Sequence, residues 1–502
     1  MIVPETVPRG NLEDRNVAAS QLTPLRQQAK VAGSRSAQLH EHKKEDQNMT
    51  VRITRREAVK TIAVGGVGLF AGRRAIGQQI TGDSSSANGR WRRGMFHMHT
   101  YWSDGHAFPE QAIDIYKNLG YEFLAVSDHN LFADDRRHWK PVEEKESGWP
   151  PAVTRPIFDA YKEVFGAEVE TRQEDGKTLV RLKTYDQMQR KFDEPGKFLL
   201  MPAVEITQVL NDINVHLNYL NLPDAVPSVK GGPLSKKITD PELSVSSLIR
   251  QNAEEVAAMA ARMQRPTLLM LNHPQWVYWD IEPQHLIDAP EVRFFEVCNG
   301  GSAFAPHPDA LSVTLDSFWD AINAFRCLKG APLLYGVGTD DTHHYFNRTP
   351  EQRLADAWVM VRSESLAPGA LLAAMDVGDY YATCGVLLDD VAFDTSAKTL
   401  HVKVKAEPDV AYRIRFITTK RGFDQTVRTV DSPAEKGRGA RQIPVYSGDV
   451  GKTVKLVDGT EGSYRMAPDD LYVRAKIESS VPSGYERHFH PDVQVAWTQP
   501  YA

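Results

Sequence analysis

The chain has 502 residues, with 59 Lys or Arg against 65 Asp or Glu, for a formal charge of −6. Apolar residues at 41% and charged residues at 25% are globular proportions and exclude a chain disordered throughout. A net acidic chain lacks the basic face of a general nucleic-acid binder, and Cys298, Cys327 and Cys384, without CxxC spacing, exclude a disulfide framework.

In chain order, residues 1–48 are polar and aperiodic, an upstream extension that cannot offset its ordering entropy. Thr54-Arg55-Arg56-Glu57-Ala58-Val59-Lys60 then precedes an apolar run over 61–72. A basic stretch before a short apolar one reads as an export signal, and the paired arginines with Lys60 resemble a bacterial twin-arginine signal. The run is too short for a bilayer, which takes about 20 residues. Residues 49–90 are therefore expected to be signal and linker, with Met49 as the start. The expected location is periplasmic or extracellular, without stable membrane insertion once the signal is removed.

From Gly94 short apolar runs alternate with amphipathic stretches. Strands are predicted over 95–100, 123–127, 198–206, 215–222, 267–271, 293–297 and 333–337. Helices are predicted over 110–119, 244–263, 283–289 and 315–328. The alternation predicts an α/β domain with a mostly parallel sheet over 91–388. Residues 130–197, rich in charge and Pro, interrupt it as an insertion. Residues 365–387 add a helix and a strand. Beyond 388 the period becomes two: Leu400, Val402 and Val404 alternate with His401, Lys403 and Lys405, and Leu471, Val473, Ala475 and Ile477 with Tyr472, Arg474 and Lys476. This predicts half-buried antiparallel sheet, a separate small β-sandwich over 389–502.

Ligand-type residues gather at the strand ends. His97 and His99, two apart, present both imidazoles on one face. Asp104 lies in the turn Ser103-Asp104-Gly105, and Ser127-Asp128-His129 ends the second strand. Glu205 ends the third run, His216 lies in the next, and His273 follows the 267–271 strand. Asp341 and His343 repeat the spacing of two after the strand at 333–337. Singly, Asp104 is a turn residue, Asp341 and His343 are a helix cap and a surface residue, and His216 is a core histidine. Together, at strand ends where α/β barrels collect catalytic residues, they predict several ions. Imidazole and carboxylate without thiolate suit Zn, Mn or Fe. Asp340 competes with Asp341, and the D-x-H spacing favours Asp341. Asp128 either orients His129 or is structural. Arg136 and Arg137 are either substrate-facing cations or a solvated run. Tyr101 and Trp102 either line a pocket or pack in the core. His138 and His344 stay open, and His488 and His490 read as surface.

This ordered set resembles the PHP (polymerase and histidinol phosphatase) superfamily over residues 94–387. The resemblance implies a distorted (β/α)7 barrel with two or three divalent metal ions. His97, His99, Glu205 and Asp341 would hold one. Glu205, His216 and His273 would hold a second, with Glu205 bridging. Asp104, His129 and His343 would hold a third. Phe295-Glu296-Val297-Cys298-Asn299-Gly300, Tyr381-Ala382-Thr383 and Ala496-Trp497-Thr498-Gln499-Pro500 resemble, more loosely, carbaryl-hydrolase-like PHP metallohydrolases. The implied chemistry is metal-assisted hydrolysis, with Glu205 and Asp128 as catalytic candidates. The substrate would be a small phosphate ester, with a carbamate, carboxylic ester or amide as the alternative. A non-catalytic metal-binding protein is a third reading, and no nucleic-acid partner is expected.

Overall fold

The structure, a computed structural model, describes residues 89–134, 138–275, 280–301, 314–346, 354–432, 440–484 and 491–502. The extension and signal expected over 1–48 and 49–90, apart from the last two residues, lie outside these, as do Arg136, Arg137, His488 and His490.

The alternating runs fold as a mixed α/β structure. Its central strands are β1 (Arg90–Met95), β2 (Phe123–Val126), β3 (Leu199–Leu210), β4 (Ile213–Leu220), β5 (Leu268–Leu271), β6 (Phe294–Asn299), β7 (Tyr335–Thr339), β8 (Trp358–Ser363) and β9 (Tyr380–Thr383). The helices are α1 (Pro109–Asn118), α2 (Arg155–Phe165), α3 (Tyr185–Phe192), α4 (Val245–Met263), α5 (Pro283–Ile287), α6 (Leu315–Lys329) and α7 (Pro368–Asp376). Local chemistry fixes the long ones. Ser244 and Thr314 cap α4 and α6 by accepting from the backbone N–H of Ser247 and Ser317. Gln264 and Gly330, both left-handed, stop them.

The order along the central part of the sheet is β7-β6-β5-β4-β3-β2-β1-β8-β9. β1–β2, β2–β3, β5–β6 and β6–β7 pair in parallel. The expected mostly parallel sheet is corrected: four of these eight pairings are antiparallel, because β4 runs against both β3 and β5 and β8 against both its neighbours. β3 and β4 form an antiparallel hairpin across Asn211 and Asp212, both left-handed at φ 48° and 68°. β8, which the sequence reading missed, runs antiparallel to β1 and β9.

The sheet curls until β7 meets β8: a Cβ on Gly338 would stand 2.7 Å from the Trp358 carbonyl oxygen. Side chains alternating along the strands form a core of their own, with Phe123, Ala125, Met201, Met270, Val337 and Val361 on one face. Leu371, Leu372 and Met375 of α7 join that core. Above it lies a polar layer. Asn218 donates to the Phe96 carbonyl and the Ser127 hydroxyl, and Asn272 donates to Asn218.

The insertion builds its own four-stranded sheet, in the order Val153–Thr154, Trp139–Glu143, Lys177–Arg181, Thr171–Glu174, with α2 and α3 alongside in sequence.

Beyond 388 the period-two reading holds locally. In β11 (Thr399–Val404), Leu400, Val402 and Val404 are buried while His401 and Lys403 are exposed. With β10 (Leu388–Asp394) and β14 (Glu461–Arg465) it forms a three-stranded sheet. The expected boundary near 388 is not a break in the main sheet, however. β16 (Val493–Thr498) pairs with β9, and the sheet continues through β15 (Arg474–Pro482) and β12 (Tyr412–Thr418) to β13 (Lys452–Asp458).

Two contacts explain that continuity. The Gln499 side chain accepts from Gly336 N at 2.8 Å and donates to Gly336 O at 2.9 Å, occupying the backbone of β7 as a strand would. Arg474, without exposed surface, makes a two-pronged pair with Asp320 of α6 at 2.8 and 2.6 Å. A buried charge left without its partner costs about 3–5 kcal/mol. Asp316 also lies 3.0 Å from Arg474, so Asp320→Ala is expected to lower unfolding free energy by less than that full amount, by about 2–3 kcal/mol, measured by urea denaturation. Asp320→Leu combined with Arg474→Met should recover most of the loss.

Candidate metal centre

Backbone hydrogen bonds knit the ligand-bearing segments together. The predicted first strand at 95–100 in fact ends at Met95. Residues 97–99 pair instead with the segment after β7. Asp341 N donates to His97 O and His99 N to Thr342 O, each at 2.9 Å. Met98 bridges Thr342 in parallel and His129 bridges Glu205. Asn272 N donates to His216 O at 3.0 Å. The 103–105 turn folds back onto this stretch so tightly that a Cβ on Gly105 would lie 2.3 Å from the His99 carbonyl. That close approach brings Asp104 Oδ1 to 3.7 Å from His99 Nδ1.

The structure brings all nine predicted ligand residues into one cluster. His97 Nε2 and His99 Nε2 are 3.2 Å apart, and each lies 3.1 Å from Asp341 Oδ1. Glu205 lies 3.4 Å from both rings, on Oε1 and Oε2 respectively. Glu205 Oε1 also faces His216 Nδ1 at 3.2 Å and His273 Nε2 at 3.7 Å. Glu205 Oε2 meets His129 Nδ1 at 2.6 Å. Asp104 lies 3.4 Å from both His129 Nε2 and His343 Nε2.

Four groups have ligand atoms within 4.8 Å of one another: His99 with Asp104, His129 and His343; His97 with His273 and Asp341; His97 with His99 and Glu205; and Glu205 with His216 and His273. His97, His99 and Glu205 have no exposed surface, whereas the His343 side chain is 30% exposed. The cluster therefore opens on the His343 side.

The electrostatics suit cation binding. Burial opposes charge on Glu205, Asp104 and Asp341, yet all three are held well below the ordinary carboxylate range by facing imidazoles: His129, His97 and His216 around Glu205, His129 and His343 around Asp104, and His97 with His343 and His273 around Asp341. Burial, then His343 and His129, push His99 down to about 3, leaving it neutral with a lone pair to give. Glu205 Oε2, Asp341 Oδ1 and Asp104 Oδ1 are buried and face imidazole nitrogens. Buried carboxylate oxygens and imidazole nitrogens converging in this way form a donor set that fits divalent cations.

Several open readings resolve. Asp340 accepts from the Tyr116 hydroxyl and from the backbone N–H groups of Ala355, Asp356 and Ala357, so it faces away from the cluster. Asp341, left-handed at φ 50°, faces into it. The catalytic assignment of Asp128 is corrected. Its oxygens accept from Thr100 N and Oγ1 and from Ser103 N and Oγ, at 2.6–3.1 Å. It shapes the turn behind His99 and points at no ligand of the cluster. Tyr101 and Trp102 are core residues without exposed surface. His138 lies against the Trp102 ring at 4.6 Å, and His344 stacks on His106 at 4.0 Å.

Glu296 lies outside the predicted set. It is fully buried and meets His97 Nδ1 at 2.6 Å. The signal was present: an acid within the apolar run Phe294-Phe295-Glu296-Val297-Cys298 is costly to bury unless partnered.

No protein-family model matches the chain, and no curated protein does. Solved structures resemble it loosely. A two-domain Bacteroides vulgatus protein containing a predicted PHP-like metal-dependent phosphoesterase is 14% identical, with 82% of this chain and 96% of that chain covered, at a TM-score of 0.34. A Bifidobacterium adolescentis protein named provisionally as a metal-dependent phosphoesterase is 12% identical over 51% and 89%, at 0.27. A Chromobacterium violaceum amidohydrolase with bound sulfate is 12% identical over 52% and 93%, at 0.26. Likenesses this loose leave the chemistry to the side chains themselves.

Burial lowers the His343 pKa, but the carboxylates of Asp104 and Asp341 outweigh it and push it up to about 9. In metal-free protein this raised value stabilises fully below the ordinary 6.5, and the contribution is lost as pH rises through about 9. The thermal midpoint of metal-free protein is expected to fall across that window. The fall should be smaller in His343→Asn, as read by calorimetry at each pH.

Proposed function

We propose that this chain is a metal-dependent hydrolase of small phosphate esters, built on a PHP-type barrel. The observation that carries the reading is Glu205. One buried carboxylate stands between His97 and His99 on one side and His216 and His273 on the other, at 3.2–3.7 Å. That is the placement of a bridging ligand. Zn, Mn or Fe ions held here would supply Lewis acidity toward the substrate and would activate water near neutral pH.

The chain's own residues supply the rest. Buried His97 and His99 exclude bulk water from the floor of the cluster, and the exposed edge of His343 sets the side from which substrate enters. The choice of a phosphate ester is supported by Lys140. This ammonium is 6% exposed, and among the described residues its hydrogen bond is a long one, 3.4 Å, to Pro151 O. Burial lowers its pKa to about 8, against the upward pull of Asp128 and Asp104.

Metal-replete protein is expected to carry about two to three equivalents of divalent metal. Less than one equivalent by elemental analysis would sink the proposal. Glu205→Gln should lose at least one equivalent and slow turnover by more than about 100-fold; wild-type metal content and rate would refute the bridging role. Metal-loaded protein is expected to hydrolyse aryl phosphates or phosphodiesters. Turnover of carboxylic esters or carbamates alone would move the reading to that class.

A further inference from the structure

Glu296 lies in β6 and has no exposed surface. Its Oε1 meets His97 Nδ1 at 2.6 Å and accepts from Thr339 Oγ1 at 2.5 Å. Its Oε2 accepts from His273 N and from Asn299 Nδ2, each at 2.7 Å. The Thr339, His273 and Asn299 partners are donors, the complement of a carboxylate. A carboxylate at Nδ1 places the His97 proton there and leaves the Nε2 lone pair facing Glu205 and Asp341.

The bond to His273 works through backbone. His273 is non-glycine yet sits at φ 21°, in the left-handed half of the map, and Pro274 follows it. The Glu296 Oε2 bond pins the N–H of this strained turn. Asn299, held by the same oxygen, reaches Asp341 Oδ2 at 3.3 Å. Among the described residues, Glu296 bonds none of Asp104, His129 or His343.

We propose that Glu296 is a positioning residue that sets the His97 and His273 ligand groups together, leaving the Asp104–His129–His343 group independent of it. The inference rests on the metal-centre reading above. It predicts that one substitution behind the cluster weakens a defined subset of the ions.

The test is a competitive chelator titration of Zn-loaded full-length protein, with metal-free thermal midpoints as the fold control. His97→Ala and Asp104→Asn first assign the release steps of the wild type. A glutamine offers one acceptor oxygen, so Glu296→Gln turns an amide N–H₂ against donors whichever way it sits. It is expected to weaken the step assigned through His97 by about 10–100-fold. The step assigned through Asp104 should stay within about twofold, well short of the loss that removing an outer hydrogen-bond partner brings. Thr339→Val removes one donor to Oε1 and keeps the carboxylate. It should shift the same step in the same direction by less, and it carries the test if Glu296→Gln does not fold. Equal weakening of all steps, or none, overturns the positioning role. A wild type that binds no Zn is a different outcome: it overturns the metal-centre reading, and the inference with it.

Discussion

A carboxylate without solvent exposure must be answered by its surroundings, and Glu205 is answered by imidazoles drawn from distant stretches of chain. His97 and His99 follow β1, His129 follows β2, His216 lies in β4 and His273 follows β5. Burial alone would raise the pKa of such an acid, and here the rings reverse it. The rest of the architecture serves that reversal. The curl of the sheet turns strand ends that are far apart in sequence toward one point. The Asn218–Asn272 layer passes hydrogen bonds from the apolar interior up to the Glu205 oxygens. The neighbouring acids divide the work: Asp340 ties the 354–357 segment, and Asp341 turns inward.

The two sides of the cluster are supported differently. Behind His99, Asp128 gathers the 100–103 turn by its side-chain and backbone donors. Behind His97, Glu296 gathers side chains and one strained peptide. Each is a buried acid surrounded by donors, and each faces away from the opening. Only Glu296 reaches a ring of the cluster directly, and Asp128 acts on the turn beside one.

The clustered residues were legible in the sequence because His, Asp and Glu at strand ends stand out by type, and spacing of two is a local property. The same local reading placed the first strand too late. Residues 97–99 look like strand, but their pairing partners lie at 341–342, a contact no local period reports. The antiparallel turn of β3 into β4 was within reach, because the predicted runs leave no room for the dozen or more residues of a crossover. Asp340 against Asp341 was decided by one left-handed φ. The separate C-terminal sandwich was a fair reading of a period-two pattern, but the pattern says nothing about which strand β16 will join.

The Gln499 amide on Gly336 bears on how the molecule is made. Synthesis delivers β7, Asp341 and His343 long before Gln499, which lies 163 residues beyond Gly336. Until then the Gly336 backbone groups lack the amide that answers them, on the strand that leads directly to the last ligands. An unpaired strand edge is a template for the wrong partner. The order of translation therefore holds a newly made chain, with the clustered His, Asp and Glu side chains already present, in a state where the strand beneath the last of them is still uncovered.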